Sequence, residues 1–126
     1  MESLPQPRER LRDLRVLIVE DETLVALLME DILSDLDCKV VGTVARVSQA
    51  LELLKNMEVD VAILDVNVGG QEVYPVASAL SEAGTPFIFA TGYGEAGIAE
   101  PWSNRPLLHK PFHNEDLVNA VISVLN

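Results

Sequence analysis

Six residues could do chemistry together: Glu20, Asp21 and Glu22 in one run, then Asp65, Thr91 and Lys110. Asp21 and Asp65 offer hard oxygen ligands of the kind Mg2+ takes, an ion that accepts one or two carboxylates and keeps several waters. Clustered carboxylates repel one another until a cation arrives. A carboxylate nucleophile, a divalent cation, an ammonium and a hydroxyl are the parts that in-line phosphoryl transfer needs. The nucleophile attacks while the others hold charge on the equatorial phosphoryl oxygens. Taken singly, each residue is ordinary. Acids after a strand can begin a helix, a threonine before Gly92 can serve a turn, and a lone lysine is a solvated charge. The set has meaning only if the fold brings it to one place.

The elements between these residues alternate. Val16-Leu17-Ile18-Val19 is a short apolar run rich in β-branched residues and reads as a buried strand. Thr23 to Leu36 runs without Gly or Pro, with Leu24, Leu28 and Ile32 on one stripe and Val25, Met29, Leu33 and Leu36 on the next, a helix with a broad apolar face. Val40 to Val44 is a second strand. Ser48 can cap a helix to about residue 56, with Leu51, Leu54 and Met57 inward. Val59 to Leu64 is a third strand, Gly69-Gly70 opens a loop, and Pro75 suits the first turn of a helix ending at Gly84. Pro86 to Ala90 and Leu107 to His109 complete the strands, and Asn114 caps a last helix with Glu115 and Asp116 in its first turn. Gly94, Gly97 and Pro101 punctuate residues 92–105, so a fourth helix there is short or frayed.

Five strand–helix units in 126 residues predict an α/β domain with a doubly wound parallel sheet. Such sheets bind ligands beyond the carboxyl ends of their strands. Glu20, Asp21, Asp65, Thr91 and Lys110 all fall at that edge.

Composition narrows the class. The chain has 126 residues, 9 Lys+Arg against 20 Asp+Glu, a formal charge of −11 and 48% hydrophobic side chains. One domain fits that length, and the apolar fraction is too high for disorder. The acidity argues against a grip on nucleic-acid phosphates. No apolar run approaches the roughly 18 residues of a membrane span, and Met1 to Arg15 has no signal-peptide core. With Cys38 as its one cysteine, an internal disulfide is impossible and a reducing cytoplasm is the expected compartment. Pro5 and Pro7 mark residues 1–13 as a flexible arm ahead of a domain over 14–126.

The motifs taken in order resemble those of a response-regulator receiver domain of bacterial two-component signalling. Val16 to Glu22 is similar to that family's first strand and acidic pair, Ile63-Leu64-Asp65-Val66-Asn67 to its phosphoacceptor segment, Ala90-Thr91-Gly92 to its switch hydroxyl, and Lys110-Pro111-Phe112 to its lysine–proline turn. The resemblance implies a flavodoxin-like fold with strand order 2-1-3-4-5. It implies that Asp65 accepts the phosphoryl group, and that Asp21, Asp65 and the backbone carbonyl of Asn67 ligate Mg2+. Glu20 would act mainly through water, Thr91 and Lys110 would hold the phosphoryl oxygens, and the Lys110–Pro111 bond would be cis. Phe89-Ala90-Thr91-Gly92-Tyr93 further resembles the FATGUY subgroup of stand-alone receivers, which pair with HWE-type or related histidine kinases. The implied partners are a sensor histidine kinase and a phosphorylation-dependent protein target or phosphotransferase, met by a monomer or weak dimer. No output domain is recognised in the chain, so signalling is expected through protein binding or phosphate shuttling rather than enzymatic turnover.

Two departures stand out, one at Leu107 and one in the segment between Thr91 and Lys110, which is shorter than usual and weakened as a helix by its Gly and Pro residues. Many receivers carry an aromatic residue three positions before the lysine, where this chain has Leu107, so the rotating-ring relay cannot operate in its usual form. Activation is therefore expected to act through ordering of residues 92–105. Gly92 leaves room beside the phosphoryl site, and Tyr93 and Asn67 border the approach. The competing readings are an aspartate-nucleophile phosphatase of haloacid-dehalogenase type and a binding-only pseudo-receiver. The first needs a second aspartate where Asn67 stands and a nucleophile after the first strand. The second is disfavoured because no acceptor, acid, hydroxyl or lysine is missing.

Overall fold

The computed structural model describes residues 7–92 and 98–125. A 3-10 helix, Pro7–Leu11, leads into strand β1 (Arg15–Val19), helix α1 (Thr23–Asp35), β2 (Lys39–Val44), α2 (Val47–Asn56) and β3 (Val61–Asp65). A two-stranded ribbon of β4 (Asn67–Val68) and β5 (Gln71–Glu72) follows, then α3 (Tyr74–Glu82), β6 (Phe87–Thr91), β7 (Leu107–His109) and α4 (Asn114–Ser123). The main sheet has the order β2-β1-β3-β6-β7, with every pair parallel. That is the order 2-1-3-4-5 expected for the five sheet strands.

Each central strand is buried on both faces, because its alternate side chains feed two separate cores. Leu17, Val19, Ala62, Leu64, Phe87 and Phe89 pack on one side with α2 and α3. Val16, Ile18, Val61, Ile63, Ile88 and Ala90 pack on the other with α1 and α4. Parallel strands need crossovers, and the helices supply both the crossovers and the covering layers. Among the described residues no helix spans the connection from β6 to β7, and residues 98–106 run as turns, in keeping with a short or frayed fourth helix.

Several local expectations change. The α1 face turned to the core is Ala26, Met29, Ile32 and Leu33, while Leu24 is 82% exposed and Leu28 43%. With so many apolar residues the stripe could not be oriented from spacing alone. Met57 is also exposed rather than inward. Helix α2 begins after Arg46 without a side-chain cap, so Ser48 lies inside it. At α4 the capping position is His113, whose N–H donates to Asp116 Oδ2 at 2.9 Å in a capping box, and Asn114 is already helical. Helix α3 does stop as expected. Gly84 has φ +73°, its N–H reaches Ser81 O, and the Thr85 N–H reaches Leu80 O at 2.9 Å.

The expectation of a flexible arm through residue 13 does not describe residues 7–13. Leu11 is fully buried in the core shared with α1 and α4, and its carbonyl accepts from Cys38 Sγ. Arg10 Nη2 donates to Leu125 O at 3.1 Å, and the Asp13 N–H donates to Asp37 O at 2.8 Å. A single large apolar residue holds this stretch down, a signal that Pro5, Pro7 and the charges around it obscure.

Candidate phosphoryl-acceptor site

The sheet brings the candidate residues to its carboxyl edge by register. Val19 lies beside Leu64, which places Glu20 and Asp21 next to Asp65. Asp65 lies beside Ala90, which places Thr91 one residue further along the same edge. Thr91 pairs with His109, and the Lys110 N–H donates to Thr91 O at 3.0 Å. The Lys110–Pro111 bond is cis.

Asp21, Asp65, Asn67, Thr91, Gly92 and Lys110 line one open cavity of about 790 Å³. Lys110 Nζ reaches Glu20 Oε1 at 2.5 Å, Asp65 Oδ2 at 3.3 Å and Glu22 Oε1 at 3.6 Å. Glu20 is buried beneath these groups, and its Oε2 accepts the Glu22 N–H at 3.1 Å. Burial pushes the Glu20 carboxyl up to about 7, against the pull of Lys110 and the Glu22 amide toward the ionised form. For Lys110, burial opposes the charge, but Glu20 and Asp65 more than offset it, so the ammonium is held more firmly than usual. A Cβ added at Gly92 would meet nothing within 4 Å, so the expected open approach beside Thr91 is present.

One oxygen each of Glu20, Asp21 and Asp65 lies within 4.8 Å of the others. Three carboxylates so placed form a hard, anionic donor set, which suits Mg2+ and does not suit softer ions that favour sulfur or imidazole. The Asn67 N–H leans on Asp65 Oδ1 at 3.4 Å.

Tyr93 lies outside the described residues. Leu107 is half-buried in the core with Phe87 and Phe89 and lies off the cavity. Two features escaped the sequence. Glu72 joins the cavity wall because the β4–β5 ribbon folds back over it. The Gly69-Gly70 pair carried the signal for that ribbon, a two-residue hairpin turn, but its flanks are too short and polar to read as strands. Tyr74, on α3, is the second. Its ring meets Phe89 edge-on at 6.2 Å, and its hydroxyl accepts the Ala99 N–H at 2.8 Å.

An open parallel sheet with an aspartate, a lysine and a threonine around an acidic cluster at its carboxyl edge defines a class of signalling domain. The chain belongs to the response regulator receiver domain family, whose model matches residues 16–122. The solution structure of SdrG from Sphingomonas melonis Fr1 is similar at 42% identity and a TM-score of 0.82, over 90% of this chain and 97% of that one. The BeF3-activated conformation of SdrG from Pseudomonas melonis Fr1 is similar at 41% identity and 0.79, over 91% and 98%. The receiver domain of the Erythrobacter litoralis response regulator PhyR is similar at 25% identity and 0.81, over 92% of each chain. The chain matches no curated protein. No helix among the described residues is long and apolar enough to cross a membrane.

Proposed function

We propose that this chain accepts a phosphoryl group on Asp65 from a phosphohistidine of a histidine kinase and signals to a protein partner while phosphorylated. The observation that carries the reading is the placement of Asp65 Oδ2 3.3 Å from Lys110 Nζ, in a cavity that Thr91 also lines. An Asp65 carboxylate oxygen attacks phosphorus, the P–N bond breaks, and the imidazole departs with the bonding pair. Lys110 and Thr91 supply an ammonium and a hydroxyl for the phosphoryl oxygens. Glu20 keeps the ammonium aimed into the cavity. Asp21, Asp65 and the Asn67 carbonyl would hold Mg2+, with Glu20 acting mainly through water, and the ion supplies charge neutralisation for the transferring group. In dephosphorylation water attacks phosphorus, the P–O bond to Asp65 breaks, and inorganic phosphate leaves, which restores the carboxylate. The chain is thus the acceptor in its own chemistry and not a turnover enzyme, and the compartment proposed is the cytoplasm, where the kinase has its phosphodonor.

The SdrG relative has a BeF3-activated conformation. Beryllofluoride on a carboxylate mimics a phosphoryl group, so the same reagent is expected to add at Asp65. The direct test is incubation with acetyl phosphate and Mg2+, followed by intact-mass measurement. One phosphoryl adduct is expected in the wild type and none in Asp65→Asn. No adduct, or one that survives Asp65→Asn, overturns the reading.

A further inference from the structure

The ribbon after Asp65 is held against the β1–α1 loop. Asn67 pairs with Glu72 and Val68 with Gln71, leaving Gly69-Gly70 as a two-residue turn. Their φ values are +59° and +79°, the doubly left-handed backbone of the hairpin turn that matches strand twist. The Gly69 N–H donates to Asp21 Oδ2 at 3.0 Å. Asp21 is exposed and sits on a loop, and this is its side chain's one hydrogen bond among the described residues.

The two glycines differ in their surroundings. A Cβ on Gly69 would lie 3.3 Å from Ala45 O and 3.8 Å from Arg46 Cγ. A Cβ on Gly70 would meet nothing within 4 Å. Gly69 is therefore wedged between the Asp21 carboxylate and the β2–α2 backbone, while Gly70 faces open space. Both need left-handed backbone, but only Gly69 needs the missing side chain for a close approach.

We infer that Gly69 is a positioning residue for Asp21: its amide fixes this carboxylate beside Glu20 and Asp65 before a cation arrives. The inference rests on the reading of Asp21 as a Mg2+ ligand. A carboxylate hydrogen-bonded from behind loses less freedom when it ligates, and the amide's positive end offsets part of the repulsion from Asp65. A side chain at Gly69 would push against Ala45 O, move the amide and release Asp21.

Mn2+ affinity of the whole chain, read from free Mn2+ by electron paramagnetic resonance, tests this without phosphorylation. The set is wild type, Gly69→Ala, Gly69→Asn, Gly70→Ala and Asp21→Asn. Asn accepts left-handed backbone and is favoured in this turn, so Gly69→Asn keeps the hairpin should Gly69→Ala not fold. Both Gly69 variants are expected to bind about tenfold more weakly, and Gly70→Ala, which carries turn strain without the close approach, is expected to bind like the wild type. If Asp21→Asn weakens binding but the Gly69 variants match Gly70→Ala, the site reading stands and the positioning role is overturned. If Asp21→Asn binds like the wild type, the metal reading fails and the inference falls with it.

Discussion

Two ion pairs at opposite edges of the sheet, both involving β1, show how context sets the use of a charge. At the carboxyl end, Lys110 and Glu20 have side chains only 12% and 1% exposed, so burial works against the charge of both and their contact works for it. At the amino end, Arg15 and Asp60 are 40% and 31% exposed, and their contact is a structural clamp. Arg15 Nε and Nη2 straddle the Asp60 carboxylate at 3.0 and 2.8 Å, and the Arg15 N–H adds a third bond at 2.8 Å. The Asp60 N–H returns to Arg15 O at 2.8 Å, so the clamp joins the starts of β1 and β3. Arg15 holds the Asp60 carboxyl below its ordinary range. A carboxyl lowered by folding contributes stability above its unfolded pKa, and loses it as pH falls through the folded value. Asp60→Asn is expected to cost about 1 kcal/mol at neutral pH, a modest figure because the pair is partly solvated. The gap to wild type should narrow as pH falls below the ordinary aspartate value of about 4 and close only below the lowered folded value, as the wild-type carboxylate protonates. Urea midpoints across this pH range check it; a gap that stays constant would show that the hydrogen-bond geometry and not the charge stabilises the pair.

At the scale of elements, residues 98–106 are pinned without being helical. Ile98 is buried, Trp102 meets Phe87 at 6.0 Å, and the Arg105 guanidinium lies 5.2 Å from the Phe87 ring and 5.4 Å from that of Trp102. Tyr74 fastens the near end through Ala99. Leu107 cannot carry a hydroxyl, but Tyr74 gives α3 an aromatic contact with β6 and a polar contact with the stretch that follows it. Tyr74→Phe removes the acceptor and keeps the ring. The Ala99 amide is then expected to exchange with solvent about fivefold faster, the equivalent of roughly 1 kcal/mol for one hydrogen bond. Exchange mass spectrometry resolves it, and unchanged protection at residues 98–102 would mean that Ile98 and Trp102 hold the stretch alone. Trp102, the one tryptophan, gives a fluorescence signal for the same stretch when beryllofluoride is added. Much of this level was legible in sequence. Short apolar runs marked all five sheet strands, and Gly94, Gly97 and Pro101 argued against a full helix. What was not legible depends on distant partners. Nothing near Tyr74 announces Ala99, the apolar abundance of α1 hid which stripe faces inward, and His113 caps α4 through a pairing with Asp116 that ordinary cap preferences rank below Asn114.

Over the whole molecule, the charge of −11 separates into two populations. Most acids are solvated and keep a small domain dispersed. Glu20, Asp21 and Asp65 instead converge where β1 and β3 end, a convergence legible in sequence because a parallel sheet puts all of its strand ends on one edge. The site therefore depends on the sheet's register more than on any loop, and the register depends on both covering layers being complete. The layer of α1 and α4 is completed by a residue outside the repeating strand–helix pattern. Leu11 has no exposed surface and lies against that core, with Arg10 tied to Leu125 and Asp13 to Asp37 on either side of it. This makes the stretch from Pro7 part of the folding unit. Leu11→Ala is expected to lower stability by about 3 kcal/mol, through lost burial and the cavity left between α1 and α4. The urea midpoint should fall with an unchanged slope, as for a cooperative two-state domain that has lost part of its core. A variant within about 0.5 kcal/mol of wild type would be surface-like, and would return residues 7–13 to the status of an arm laid on a domain that is already complete.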